Sequence, residues 1–388
     1  MQRHLIVGID LGTHTTRVVV CERGKGDKYP HVIGTGMAPT RGVRHGYVTN
    51  IDEAGKSIKK AIHEAEQNSK INIKRAFVSI GGISLSSEIA TGTAIISKAN
   101  GEITTLDIQK AIAEAEEALT ITNKRVLESI PVSFKLDGKE LMGRPEGMRG
   151  IKLEIKVLFI TCLLQHLEDL VTAVAEAGVE VLDVVPSSLA ASAIALTERQ
   201  KTAGCILVNI GAETVSVAVF ENGRTISLHV FNIGSTDITN DIALGLRVPL
   251  DEAESIKTGG PLYTHPKKKL DEIIEARLSD IFEYIENHLK KIKRNGLLPA
   301  GVILTGGGAQ LAVIEELSKS LLKLPSRVGA LDSAVFAKQK VRDPSWYVAL
   351  GLCFIERNII FREPKGGFGK LVEQTKNFFK SITKQLMP

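Results

Sequence analysis

Asp10-Leu-Gly-Thr-His-Thr-Thr-Arg-Val-Val-Val-Cys-Glu-Arg-Gly24 and Asn209-Ile-Gly-Ala-Glu-Thr-Val-Ser-Val-Ala-Val-Phe-Glu-Asn-Gly223 are one pattern written twice in the same chain. Laid together without a gap, Gly12 falls on Gly211, Thr15 on Thr214, Val18 and Val20 on Val217 and Val219, and Glu22 on Glu221. Each copy follows a short apolar run, Leu5 to Ile9 or Cys205 to Val208, and leads into a β-branched run that ends at another turn. Each is therefore expected to be a hairpin. Glycine lets backbone approach an anion closely, and turn amides and threonine hydroxyls can donate to phosphate oxygens. A single hairpin of this kind also fits a plain tight turn between core strands; duplication favours a pair that grips a polyphosphate from both sides.

A third segment follows the same logic. Gly301-Val-Ile-Leu304 is a short apolar strand, and Thr305-Gly306-Gly307-Gly308-Ala309-Gln310 is expected to open a helix through Ile314 and Leu317. Strand, glycine turn and helix N-terminus can seat a phosphate or let a flat base lie against bare backbone.

The surrounding chain is compatible with an ordinary globular protein. Its 388 residues suit two or more packed units. Apolar residues are 43% and charged residues 24%, so neither wholesale disorder nor a membrane-embedded body is indicated. A net charge of +5, with no aromatic-rich basic motif, does not mark a nucleic-acid binder. Cys21, Cys162, Cys205 and Cys353 lie far apart in apolar stretches and read as buried thiols of a reducing compartment. The run Leu5 to Ile9 is too short for a signal peptide, and no stretch is long and apolar enough to span a bilayer, which points to the cytoplasm. The nine histidines show no metal-binding spacing.

Between the two hairpin units, Thr104 to Leu119 has helical periodicity, Arg125 to Leu136 and Ile151 to Thr161 alternate like strands, and Asp137-Gly138 signals a turn. A helix from Gln165 to Ala177, stopped by Gly178, and a long helix from Leu270 to Lys293 are also expected. Lys267-Lys268-Lys269 reads as a solvated loop before the latter. At the C-terminus Phe368, Leu371, Val372, Phe378, Phe379, Ile382 and Leu386 share one helical face, and Lys370, Lys376, Lys380 and Lys384 the other. Such a helix either packs on the protein's own core or lies in the interface of an anionic bilayer. The Gly366-Gly367 linker and the lysine excess favour the bilayer.

The two hairpins and Leu304-Thr-Gly-Gly-Gly-Ala-Gln310 resemble the two phosphate loops and the adenosine loop of the actin, Hsp70 and sugar-kinase superfamily. Within it Arg125-Val-Leu-Glu-Ser-Ile-Pro131, Val157-Leu-Phe-Ile-Thr-Cys162, Ala190-Ala-Ser-Ala-Ile-Ala-Leu-Thr-Glu198 and Asp251-Glu-Ala-Glu-Ser-Ile-Lys257, with the C-terminal helix, resemble the FtsA family of bacterial cell-division proteins over nearly the whole chain. The resemblance implies an α/β, actin-like, duplicated two-lobe fold with ribonuclease-H-like cores, a small inserted α+β domain and a C-terminal amphipathic helix. The implied divisions are a first lobe of 1–82 and 164–193, with 345–360 returning to it, an inserted domain of 83–163, and a second lobe of 194–344. A linker at 361–367 and a membrane-targeting helix at 368–388 complete it.

It further implies ATP and Mg2+ as ligands. Asp10 would hold the metal through water, while Gly12, Thr13, His14 and Thr15 line the phosphates and Arg17 stands where actin-like proteins often carry a lysine. Asn209, Gly211, Ala212, Glu213 and Thr214 would be the second loop, Glu254 and Lys257 would reach the ribose and base, and Gly306, Gly307, Gly308 and Ala309 would meet the base. Taken without the resemblance, Glu254 and Lys257 are equally a surface ion pair. Catalytic candidates are Asp10, Asn209 and Ser187, but Asn209 stands where the family usually has aspartate and Ser187 where actins and Hsp70 proteins have glutamine or glutamate. Tight binding with slow or negligible hydrolysis is expected. The implied partners are FtsZ, further copies of the chain in a filament, anionic inner-membrane lipids and, through the inserted domain, other division proteins. An ATP-binding adaptor of a pilus or secretion machine, similar to the PilM family, and a small-molecule phosphotransferase on the same fold remain the alternatives.

Overall fold

The computed structural model describes residues 4–27, 29–120, 122–261, 266–331 and 341–359. The linker at 361–367 and the helix expected at 368–388, from Phe368 to Leu386 with its four lysines, lie outside the described residues.

Strands β1 (His4–Leu11), β2 (Thr15–Arg23) and β3 (His31–Pro39) open the chain, followed by the short pair β4 (Val43–Arg44) and β5 (Tyr47–Val48), helix α1 (Ile51–Ser69) and strand β6 (Arg75–Ile80). Then come β7 (Ser86–Ile95), α2 (Thr105–Glu117), β8 (Lys124–Leu136), β9 (Lys139–Leu141) and β10 (Lys152–Leu163). Helix α3 (Leu164–Glu176), strand β11 (Glu180–Pro186) and helices α4 (Ser187–Ala195) and α5 (Glu198–Ala203) precede β12 (Cys205–Ile210), β13 (Val215–Glu221) and β14 (Arg224–Phe231). The remainder is α6 (Ser235–Leu246), α7 (Leu250–Lys257), α8 (Lys267–Lys291), β15 (Val302–Thr305), α9 (Ile314–Leu322), β16 (Ser326–Val328) and α10 (Tyr347–Ile359). Two compact units result, one drawn from Met1–Gly81, Leu167–Ala195 and Ala330–Pro388, the other from Gly82–His166 and Leu196–Gly329.

The first unit is a five-stranded sheet in the order β11-β6-β1-β2-β3. β1, β2 and β3 form an antiparallel meander, and β6 and β11 run parallel to β1. Apolar Ala54, Ile58, Ala61, Ile62 and Ala65 recur at helical spacing and give α1 a buried face, and the Asn50 side chain caps its start by accepting from the Glu53 amide. On one face of the sheet α1 comes so close to β3 that a side chain at Gly36 would strike the Ala61 carbonyl. Gly8 does the same for α10 on the opposite face, where it meets the Ala349 carbonyl.

The second unit repeats that strand order as β14-β13-β12-β15-β16, again an antiparallel meander followed by two parallel strands. Its core is built from Ile206, Val208, Val217 and Val219 on the strands and from Leu278, Ile281, Phe282 and Ile285 on α8. The same sheet continues through β7, β10, β8 and β9. The ladder at the join is one residue pair, His229 with Ser86; the Ser87 hydroxyl exchanges hydrogen bonds with the Leu228 amide and carbonyl at 2.8 Å, and Arg224 of β14 donates to the Val132 carbonyl of β8 at 2.8 Å. Beyond it α2 packs Ala111 and Ala115 against Phe134, Leu153, Ile155 and Val157, a small core of its own. Thr104 and Asp107 cap α2 reciprocally, and the hydroxyls of Thr104 and Ser97 hold the buried Asp107 carboxylate far below the usual range.

Two local expectations need correction. The glycine run does not open a helix directly: a 3-10 turn spans Gly307–Gln310, Leu311 is extended, and α9 begins only at Ile314. Glycines lose the most backbone freedom on entering a helix, and Gly306 already sits at φ +87°. Lys267, Lys268 and Lys269 are not a loop but the first turn of α8, because buried Leu270, Ile274 and Leu278 carry the helix back past the unfavourable lysines.

Candidate functional site

In both units the residues singled out gather at the carboxyl ends of the parallel strands, where α/β sheets place ligands. In the first, Asp10 lies near the end of β1, Ser79 near the end of β6, and Ser187 directly after β11. The Ser79 hydroxyl donates to Asp10 Oδ1 at 2.6 Å. Burial raises the Asp10 carboxyl above its ordinary pKa, against the lowering effects of Ser79 and of Arg17. Arg17 faces Asp10 directly across the β1–β2 ladder, so the two side chains share a face of the sheet. Ser187 is buried beside Gly81, whose Cβ would stand 3.7 Å from the serine hydroxyl.

Between β1 and β2 the loop turns so tightly that a Cβ at Gly12 would lie 2.8 Å from the Thr15 carbonyl. Thr13 Oγ1 accepts from the Gly46 amide at 3.2 Å, which leaves its hydroxyl proton to donate elsewhere. The His14 carbonyl accepts from the Thr40 amide at 3.0 Å, and the exposed His14 ring bonds Thr15 Oγ1 at 3.1 Å. The 40–46 segment thus braces the first glycine loop.

The second loop has the same turn: a Cβ at Gly211 would lie 3.0 Å from the Thr214 carbonyl, and the Gly211 amide donates to that oxygen at 2.9 Å. It is braced by α6, whose Ser235 and Thr236 amides donate to the Gly211 and Ala212 carbonyls at 2.9 and 2.8 Å. Glu213 and Thr214 are partly buried in the turn. Asn209 comes together with the third glycine segment, since a Cβ at Gly306 would stand 2.6 Å from Asn209 Oδ1. Gly308 and Ala309 are buried, whereas Gly307 is exposed and has nothing within 4 Å of its Cβ position, a bare backbone face suited to a planar group.

Of the pair Glu254 and Lys257, the lysine side chain is buried and the glutamate side chain is partly exposed. The Lys257 side chain is 8% exposed, and its ammonium donates to Glu254 Oε2 at 2.7 Å, Thr239 Oγ1 at 2.8 Å and the Ser235 carbonyl at 3.1 Å. Through Ser235 this cluster reaches the helix start that holds the second loop.

Sequence reasoning missed Ser79, Thr40, Gly46, Ser235 and Thr239. Ser79 alone left a signal, a polar residue inside the apolar run of β6.

These residues suit a magnesium nucleotide. Arg17 Nε is buried with no hydrogen-bond partner among the described residues, a donor awaiting an acceptor. Asp10 belongs to no group of three or more His, Cys, Asp or Glu that could bind a metal among the described residues. That matches Mg2+, which takes one or two carboxylates together with phosphate oxygens and water. Twinned meander-plus-parallel sheets, each with a glycine loop at the first hairpin, define an actin-like protein.

Among solved structures, the PilM-PilN type IV pilus biogenesis complex is similar over 90% of this chain and 97% of its own, at a TM-score of 0.67 and 17% identity. MreB5 of Spiroplasma citri bound to ADP is similar over 92% and 97%, at 0.52 and 13%. Both share the fold. The family model "Cell division protein FtsA" matches residues 206–351, and "SHS2 domain inserted in FTSA" matches residues 82–161. The cell division protein FtsA of Pseudomonas aeruginosa is 31% identical over 90% of this chain and 88% of its own length, and that of Bacillus subtilis 31% identical over 94% and 86%. The chain belongs to the FtsA family of cell-division proteins.

Proposed function

We propose that the chain is an actin-like, ATP-binding scaffold of the bacterial division ring that polymerises on the cytoplasmic face of the inner membrane and tethers FtsZ there. The observation that carries this reading is the duplicated glycine loop in a chain of the FtsA family. Both loops hold the phosphates of ATP: Gly12, Thr13, His14, Thr15 and Arg17 from the first, Gly211, Ala212, Glu213 and Thr214 from the second. Glu254 accepts from ribose hydroxyls while Lys257 fixes its orientation, and the base lies on Gly306 to Ala309. Asp10 is the carboxylate for Mg2+, which when bound offsets the negative charge of the phosphate oxygens. Asn209 and Ser187 supply no carboxylate base, so ATP acts first as a conformational ligand and is hydrolysed slowly.

The residues 368–388 supply the membrane contact. A lysine near an anionic surface is worth about 1 kcal/mol, so one tail binds reversibly and a filament carrying many tails binds firmly. The inserted domain is the surface for other division proteins. Co-sedimentation with anionic liposomes, with and without Mg-ATP, comparing the full chain with one ending at Gly367, tests this. Pelleting that requires the tail and increases with ATP is expected; a full chain that stays in solution under every condition removes the membrane half of the proposal.

A further inference from the structure

The one tryptophan of the chain stands beside the arginine of the first glycine loop. Trp346 ends the 3-10 turn Pro344–Trp346, which the Asp343 carboxylate caps by accepting from the Ser345 amide at 2.8 Å. The next residue, Tyr347, is buried, and α10, which it begins, is seated against Gly8 of β1. The indole is therefore carried on a short, anchored turn. The Arg17 guanidinium lies 5.7 Å from its ring centroid, within the range of a cation–π contact.

Burial lowers the Arg17 pKa, and the charges of Asp10 and Asp343 oppose that effect. Neither carboxylate satisfies Nε, which is buried and without a partner among the described residues. Leaving such a donor unmade is costly, so the arrangement suits a protein whose arginine is completed by an anion. A lysine reaches phosphate as a point charge and needs no orienting surface, whereas a planar guanidinium binds well only when its plane is set. An aromatic face sets that plane without consuming any N–H group.

We propose that Trp346 is a positioning residue for phosphate recognition: its indole holds the Arg17 guanidinium so that the free N–H groups meet the nucleotide's phosphate oxygens. The inference rests on the ATP-binding reading of the first loop. It makes Trp346 dispensable wherever position 17 carries a lysine, and it makes the sole tryptophan a reporter of the contact.

The test uses the full chain and a fluorescent ATP analogue, with unlabelled ATP and adenosine as competitors, on wild type, W346F, W346L, R17K and R17K/W346L. W346L is expected to weaken ATP about 10-fold and adenosine not at all, while W346F stays within about 3-fold, as the size of a cation–π contact implies. In the R17K background W346L should change ATP affinity by less than about 2-fold. ATP should shift tryptophan emission in wild type and not in R17K. Equal loss of ATP and adenosine in W346L, the same loss in both backgrounds, or wild-type affinity in W346L overturns the positioning role. Should W346L not fold, the emission change and its loss in R17K decide the matter. A wild type that binds neither ATP nor its analogue fails at the earlier step and removes the ATP reading itself.

Discussion

Lys257 has all three of its N–H bonds committed, to Glu254, to Thr239 and to the Ser235 carbonyl. Removing it takes the charged donor from the Glu254 carboxylate and the Ser235 carbonyl and leaves the Thr239 hydroxyl as their remaining neighbour, while Glu254 is 43% exposed and water can partly replace the ammonium. K257M is therefore expected to lower stability by about 1–3 kcal/mol in denaturant unfolding, and E254Q/K257M to recover part of it, since losing both partners is cheaper than losing one. A K257M chain as stable as wild type would show that the pair adds nothing. The spacing of Glu254 and Lys257 was legible as one helical face. The burial of Lys257 was not, because Thr239 and Ser235, which enclose the ammonium, come from a different helix with no sequence mark of their own.

At the scale of elements, β14 and α8 are joined by stacked histidines. His229 and His288 lie nearly parallel with centroids 5.1 Å apart, the Phe231 ring meets His229 edge-on, and Ser227 Oγ bonds His288 Nε2 at 2.9 Å. Burial, then the charges of His229 and Lys291, push the His288 pKa down from 6.5 to about 4. A histidine lowered in the folded state binds its proton first in the unfolded chain. Its stability contribution is thus complete above pH 6.5 and lost as pH falls toward 4. The loss should reach about 1–3 kcal/mol, allowing for partial exposure. Urea unfolding between pH 7.5 and 4.5 checks it: wild type should lose more stability over that span than H288Q, and parallel curves would refute the assignment. The hairpins themselves were legible because glycine turns and β-branched strands are local signals. The start of α8 was not, since its lysines argue for a loop and only the packing of Leu270 and Ile274 overrides them.

Over the whole molecule, the repeat visible in residues 10–24 and 209–223 becomes a repeated five-strand order. That much was readable because both copies kept their turn chemistry. The run of β7, β10, β8 and β9 onto β14 had no such trace: its contacts include Ser86 with His229, Ser87 with Leu228 and Arg224 with Val132, residues that no short-range pattern connects. Duplication carries an expectation for thermal unfolding. A ligand at 100 times its Kd adds about 2.7 kcal/mol, and for units of this size each kcal/mol moves Tm by about 2–4 °C. Mg-ATP should therefore raise the unfolding temperature by about 5–10 °C. If the two units melt separately, the proposed role of both glycine loops in holding the phosphates predicts that both transitions rise. The chain ending at Gly367 should show the same rise, as every loop residue precedes that point. A rise confined to one transition would assign the nucleotide to that unit's loop alone, and no rise at saturating Mg-ATP would leave the glycine loops as tight turns between core strands.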